Sequence, residues 1–206
     1  MGGMPRVIVR RASPGDAAGI GAAHVRSWQS AYRGLLPQDY LDRLDPVARA
    51  GRWRQMLQDL DWSRGGVLVI AVEQEIAGFA GFGPTRDEDD DPARVGEIAS
   101  IYLLPQVWGR GLGRRLMSSA LRHLAGAGYG QATLWVLDAN ARARRFYARG
   151  GWAEDGAVKQ DDSRGFPITE VRYRRPLGSS ELLTWPPMCG PSPPPPPGTA
   201  SSPAAC

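Results

Sequence analysis

Residues 106–115 read QVWGRGLGRR, with Gly109, Gly111 and Gly113 at alternate positions among Arg110, Arg114 and Arg115. An apolar run, EIASIYLLP, leads into this stretch from Glu97 to Pro105, and LMSSALRHLAGAG follows it with apolar residues at helical period. A chain that leaves a strand and enters a helix through such a turn is committed to a layered α/β arrangement. It also aims a helix N-terminus at whatever lies in the turn. That end leaves about four N–H groups unpaired and carries roughly half a positive charge. Glycine allows positive φ and close approach of backbone to a ligand. Gly109, Gly111 and Gly113 with the arginines around them therefore suit an anion, and a pyrophosphate above all.

Two familiar phosphate loops do not fit. The nucleoside triphosphate loop needs G-x-x-x-x-G-K-S/T, and no lysine is present here. The dinucleotide fingerprint needs G-x-G-x-x-G early in the chain, whereas this spacing is G-x-G-x-G and late. The glycines alone leave a plain strand-to-helix turn with solvated arginines open. The charge distribution adds to the anion reading. The formal net charge is only +4, and Lys159 is the single lysine. Between Gln106 and Gly150, however, eight arginines face one acid, Asp138. A field of that kind attracts anions.

The 206 residues suit one domain with an appendage. From Gly178 onward the chain turns to SSELLTWPPMCGPSPPPPPGTASSPAAC, which can form neither ladder nor helix through its prolines. We expect a folded domain over residues 1–178 and a proline-rich, disordered or polyproline II tail over 179–206. Docking to a proline-reading domain, or back-packing of Trp185, are its alternatives. Both cysteines, Cys189 and Cys206, lie in that tail, so the body has no thiolate metal site or disulfide framework. No cluster of His, Asp and Glu has metal-ligand spacing, and no metal is expected. No apolar run reaches membrane-spanning length, and the N-terminus lacks a signal-peptide core. The expected setting is cytoplasmic.

Along the domain, strands alternate with helices. RVIVRRA reads as a strand, DAAGIGAAHVRSWQSAY as a helix, and DPVARAGRWRQML as a second helix with Asp45 as N-cap and Pro46 at its first position. GGVLVIAV and EIAGFAGFGP flank EQ as a hairpin. After the acidic loop RDEDDDP come a strand over 94–104, the glycine turn, a helix, the strand ATLWVL, the helix NARARRFYARGG and the strand PITEVRYRRPL. The expected order is β-α-α-β-β-β-α-β-α-β-β, a mixed α/β layer fold.

The segment NARARRFYARGGW, residues 140–152, completes the pattern. Together with the glycine turn it resembles the GNAT superfamily of acyl-CoA-dependent N-acyltransferases. The family's pyrophosphate motif is Gln or Arg, two residues, Gly, one residue, then Gly or Ala; Gln106, Gly109 and Gly111 match it. Its second element is matched by Asn140, Phe146, Tyr147, Gly151 and Trp152. The resemblance spans about residues 5–177 and is sharp from Glu97 to Trp152. It implies a mostly antiparallel sheet flanked by helices, with splayed central strands. It implies acetyl-CoA as cosubstrate, its pantetheine arm along Tyr102, Leu103 and Leu104. The pyrophosphate would lie on Gly109, Arg110, Gly111, Leu112, Gly113 and Arg114, and Asn140 would contact the cosubstrate as the next helix begins. The family's proton donor to the leaving thiolate maps onto Tyr147, whose alternative is a packed aromatic.

The acceptor implied is a primary amine of a small molecule or protein. A lysine-like amine of pKa about 10.4 costs about 4–5 kcal/mol to deprotonate at neutral pH, so a base is useful. Glu97, on the strand feeding the turn, is the first candidate, with a salt-bridged strand residue as its alternative. Trp135 stands where some branches of the family carry an acid. His24 and His123 read as packing or surface residues. Trp28, Tyr32 and Trp53 line either an acceptor pocket or the core. The acidic loop is either solvated or an attractant for cationic amines. A non-catalytic acyl-CoA-binding module and, more remotely, a basic nucleic-acid-binding protein are the competing functions. Neither nucleic acid nor membrane is the expected partner, and a homodimer is allowed.

Overall fold

The computed structural model describes residues 5–178; the tail expected over 179–206 lies outside them. Seven strands form one sheet in the order β1-β2-β3-β4-β5-β7-β6. They are β1 (Val7–Arg11), β2 (Gly66–Val72), β3 (Glu75–Pro84), β4 (Val95–Leu103), β5 (Gln131–Leu137), β6 (Ala153–Asp161) and β7 (Ile168–Pro176). Five helices accompany them: α1 (Ala17–Ala31), α2 (Gln38–Asp42), α3 (Pro46–Gln58), α4 (Leu112–Gly126) and α5 (Ala141–Arg149). Every strand pair is antiparallel except β4 with β5. The expected mixed, mostly antiparallel sheet with flanking helices is therefore the one observed.

The uninterrupted apolar run of β2 follows from its position. Leu68 and Ile70 face α4 and α5, whereas Val67 and Val69 face α1 and α3. A strand covered on both faces needs apolar residues at every position. On the α4 side, Leu116, Ala120 and Leu124 form the expected helical stripe, all fully buried. On the other side α1 and α3 cross at backbone contact. A Cβ on Gly21 would stand 2.7 Å from the Ala50 nitrogen and the Pro46 oxygen. Asp45 caps α3 as its sequence predicts, accepting from the Val47 N–H at 2.8 Å.

Two elements depart from the sequence reading. The short helix α2 falls in a stretch to which the sequence reading assigned no element. The penultimate strand expected by order, but given no run, is β6, whose residues are nearly all exposed. An edge strand with solvent on both faces carries no apolar alternation to read. Gly156, at φ 90°, and a register shift between Glu154 and Val158 break it further. Among the described residues, no helix is long and apolar enough to cross a membrane.

Candidate active site

The centre of the sheet opens by design of its hydrogen bonding. β4 and β5 pair over only Val95–Gln131, Gly96–Ala132 and Glu97–Thr133. β4 then continues against β3 as far as Leu103. Its register shifts there: Ile98 pairs with Phe82 and Ser100 with Gly81, leaving Ala99 as an extra residue. A bulge of this kind bends the strand and raises its twist, which turns β4 away from β5. Beyond Glu97, one edge of β4 has no neighbouring strand.

Alternation decides which backbone groups that edge offers. The Leu104 N–H donates to the Ala77 oxygen of β3 at 2.8 Å. Successive residues of a strand direct their groups to opposite sides, so Leu103 and Ile101 direct theirs into the gap. The Leu103 carbonyl already accepts from the Ser27 hydroxyl and from the Trp108 indole, each at 2.9 Å. Of the expected trio Tyr102, Leu103 and Leu104, only the Leu103 N–H faces the gap uncommitted. Ile101 joins it, a residue the sequence reading missed.

The three glycines of the turn do two different jobs. Gly109 and Gly111 have φ of 75° and 76°, the left-handed region that side chains disfavour. Gly111 is the N-cap of α4, and the first helical bond runs from the Arg115 N–H to its carbonyl at 3.2 Å. The N–H groups of Leu112, Gly113 and Arg114 therefore point out of the helix end. Gly113 is helical, and its job is packing: a Cβ there would meet the Phe146 ring at 3.3 Å. Trp108 is held from two sides, by its bond to Leu103 and by the Arg142 guanidinium 3.6 Å above its ring.

α5 begins where the second motif predicts. Asn140 caps it, its carboxamide oxygen accepting from the Ala143 N–H at 3.1 Å. Tyr147, one face further along, is buried against Phe146, Trp152 and Tyr173. Burial, and then the nearby Tyr102, push its phenol above the usual range, so it keeps its proton. The arginines of this region divide. Arg144 is spent on Asp138 and Glu154, whereas Arg110, Arg114 and Arg115 stand by the turn.

A cleft of about 690 Å³ opens on the other side of β4. Glu97, Ala99, Ser100 and Tyr102 line its floor. Simple alternation would put Glu97 and Tyr102 on opposite faces; the bulge at Ala99 switches the parity and turns both into the same cleft. Glu97 is 3 % exposed and takes both guanidinium bonds of Arg86, at 2.6 and 2.9 Å. Arg86 itself has a largely exposed side chain. Trp28 and Tyr32 line the cleft, but Trp53 belongs to the core. His24 stacks on Tyr102 with ring centroids 5.3 Å apart. Its Nδ1 accepts from the Trp53 indole at 3.2 Å, which leaves its proton on Nε2. Burial, and then Arg49, push its pKa down to about 4. His24 is thus a neutral imidazole whose only basic nitrogen is already engaged.

The acidic loop is exposed over most of its length, but three of its carboxylates are engaged. Asp89 binds Arg172 at 2.7 Å and Asp90 binds Arg174 at 2.8 Å. Asp155 reaches both arginines, at 2.8 and 3.0 Å, and Asp87 holds the Trp135 indole at 3.0 Å. Arg172, 6 % exposed on its side chain, fills the centre of the carboxylate group. Nothing in RDEDDDP announced this, because its partners lie some eighty residues on.

Residues 26–152 match the family model described as the acetyltransferase (GNAT) family. The uncharacterized N-acetyltransferase YuaI of Bacillus subtilis is 33 % identical over 135 residues, 65 % of this chain and 73 % of that protein. An uncharacterized N-acetyltransferase of Archaeoglobus fulgidus is 33 % identical over 140 residues, 68 % of this chain and 88 % of its own. The PaiA N-acetyltransferase of Thermoplasma acidophilum, solved with coenzyme A, superposes with a TM-score of 0.65 at 16 % identity, covering 83 % of this chain and 99 % of its own. An open, mostly antiparallel sheet, a parallel central pair that parts after three residues and a glycine turn at the parting strand's end thus coincide with a family model and with full-length relatives: the chain belongs to the GNAT family and is an acetyltransferase.

Proposed function

We propose that this enzyme moves an acetyl group from acetyl-CoA to a primary amine. The observation that carries the reading is the parting of β4 from β5 after Glu97, with α4 starting at the end of the open edge. A gap edged by unpaired strand groups suits an amide-bearing arm, and a positive helix end with two left-handed glycines suits its pyrophosphate. The Leu103 N–H and the main-chain groups of Ile101 hold the arm. Residues 109–114 hold the pyrophosphate through backbone N–H groups and the flanking arginines. Asn140 turns its amide nitrogen to the cosubstrate while its oxygen caps α5.

When bound, acetyl-CoA supplies a thioester: the amine nitrogen attacks its carbonyl carbon, the C–N bond forms, and the C–S bond breaks. Glu97 takes the first proton from an ammonium acceptor and passes it to solvent. A carboxylate has about four lone-pair sites, so two remain beside the Arg86 bonds. Tyr147 protonates the departing sulfur, and the second amine proton restores its phenol. Burial raises the phenol, but a thiol in the same place is raised for the same reason. The gap between them is not widened.

The test is an amine panel with acetyl-CoA, followed by thiol release, beside melting curves with CoA, NAD and ATP. Thiol release with at least one amine and a melting shift specific to CoA are expected. Equal shifts with all three nucleotides, or no turnover with any amine, would overturn the proposal.

A further inference from the structure

The acceptor cleft carries a charge imbalance that the chemistry of acetyl transfer does not call for. Five basic and three acidic side chains line it. Each acid has a basic partner. Glu97 is bound by Arg86, Glu170 by Lys159 at 3.3 Å, and Asp161 by Arg164 at 2.5 Å. Arg49 and Arg52 are left over, and among the described residues neither has an ion pair. They stand three residues apart on α3, hence on one helix face, where like charges repel. Arg49 is half-buried and lies with its guanidinium 5.8 Å from the Trp28 ring centre. His24, in the same wall, is neutral and neutralises neither. Trp28, Tyr32 and Tyr40 supply an apolar lining beside the two free cations.

We infer that the acceptor is a small amine that also carries an anionic group, an amino-acid-like zwitterion, whose anion docks on Arg49 and Arg52. This rests on the acetyl-transfer reading above and narrows its substrate class. A planar guanidinium fork matches a carboxylate or phosphonate with two parallel bonds. The aromatic wall takes the acceptor's apolar body, and Glu97 lies at the floor where its amine must arrive. A diamine would bring a second positive charge into a cleft that already has two in excess.

The experiment compares equilibrium binding to the full-length protein saturated with CoA, by calorimetry, for phenylalanine, methionine and leucine against their amides and against 1,4-diaminobutane. Each amide keeps the amine and side chain and loses only the negative charge. At least one amino acid should bind ten- to a hundredfold tighter than its amide, and tighter than the diamine. In the double variant Arg49→Gln/Arg52→Gln that preference should fall below threefold, while Arg49→Lys, which keeps the charge but loses the fork, retains only part of it, and CoA affinity stays unchanged in both. Amides or the diamine binding as well as the acids, or a preference that survives the double variant, would overturn the inference. Because binding is read without turnover, a preference found in a protein that acetylates no amine would sink the acetyl-transfer reading alone. Turnover without the preference would sink only this one.

Discussion

Tyr147 is buried and His24 half-buried, and desolvation moves their pKa values in opposite directions. The phenol is held protonated, so across the accessible pH range Tyr147 always has a proton to give. Tyr147→Phe keeps the ring packing against Phe146 and Trp152 and deletes only the hydroxyl. It should lower kcat by roughly ten- to a thousandfold with little change in the acetyl-CoA KM, since general-acid help acts in the transition state. Steady-state kinetics at several pH values checks this, and a wild-type rate in the variant would make the phenol structural. For His24 the effect is on stability. Its folded pKa of about 4 lies below its ordinary 6.5. As pH falls from 6.5, the unfolded chain takes up the proton first, so stability present above that value drains away until pH 4. At about 1.4 kcal/mol per pH unit, wild type should lose about 2–3 kcal/mol from this group between pH 6.5 and 4.5. His24→Gln should lose that slope, as urea unfolding at the two pH values would reveal. The sequence offered each burial only as one alternative, Tyr147 as a packed aromatic and His24 as a packing or surface residue. Glu97 was legible as a candidate, but not its place on the same face as Tyr102. Period-two alternation separates residues five apart, and only the extra Ala99 reunites them.

At the scale of elements, the turn and the hairpin are opposite solutions to positive φ. In the turn, glycine is present where φ demands it. Gly111→Val puts a β-branched residue at φ 76°, where side chains cost about 1–3 kcal/mol, and fills the concavity above α4. The CoA-dependent melting shift should vanish while circular dichroism stays native; a retained shift would mean that the turn does not hold the cosubstrate. The β2–β3 hairpin turns through Glu73 and Gln74 at φ of 50° and 77°, positions that a two-residue turn prefers to fill with Asn and Gly. Glu73 is tied down, its carboxylate accepting the Arg6 N–H at 2.9 Å. Gln74 has only the strain. Gln74→Gly should therefore stabilise by about 1 kcal/mol, or 2–4 °C in Tm for a domain this size. The sequence showed this hairpin, the capped α3 and the striped α4 plainly, because each carries a local signal: apolar runs about a turn, a cap, a helical stripe. β6 carries none.

Across the whole molecule, the sheet is two pieces, β1–β4 and β5–β7–β6, sharing three residue pairs. The Arg172 network is a second fastening between them, joining the loop after β3 to β7 and β6. Removing the cation from the middle of four aspartates leaves them facing one another. Arg172→Met should lower Tm by several degrees, and 1 M salt should restore part of the loss by screening that repulsion; a salt-independent loss would assign the effect to packing instead. Those partners lie too far apart along the chain for any local pattern to reveal. The gap itself divides the chain in another sense. Everything proposed to grip the cosubstrate comes from one continuous stretch, residues 95–149. Most of the walls that would choose the acceptor come from the stretches on either side, with Trp28 and Arg49 before it and Lys159 and Glu170 after, joined by Trp135 and Leu137 from within it. The groups proposed to hold the cosubstrate and most of those proposed to choose the acceptor thus lie in separate passages of the chain. Substitutions in the margins can therefore reshape the acceptor without disturbing the grip on the donor.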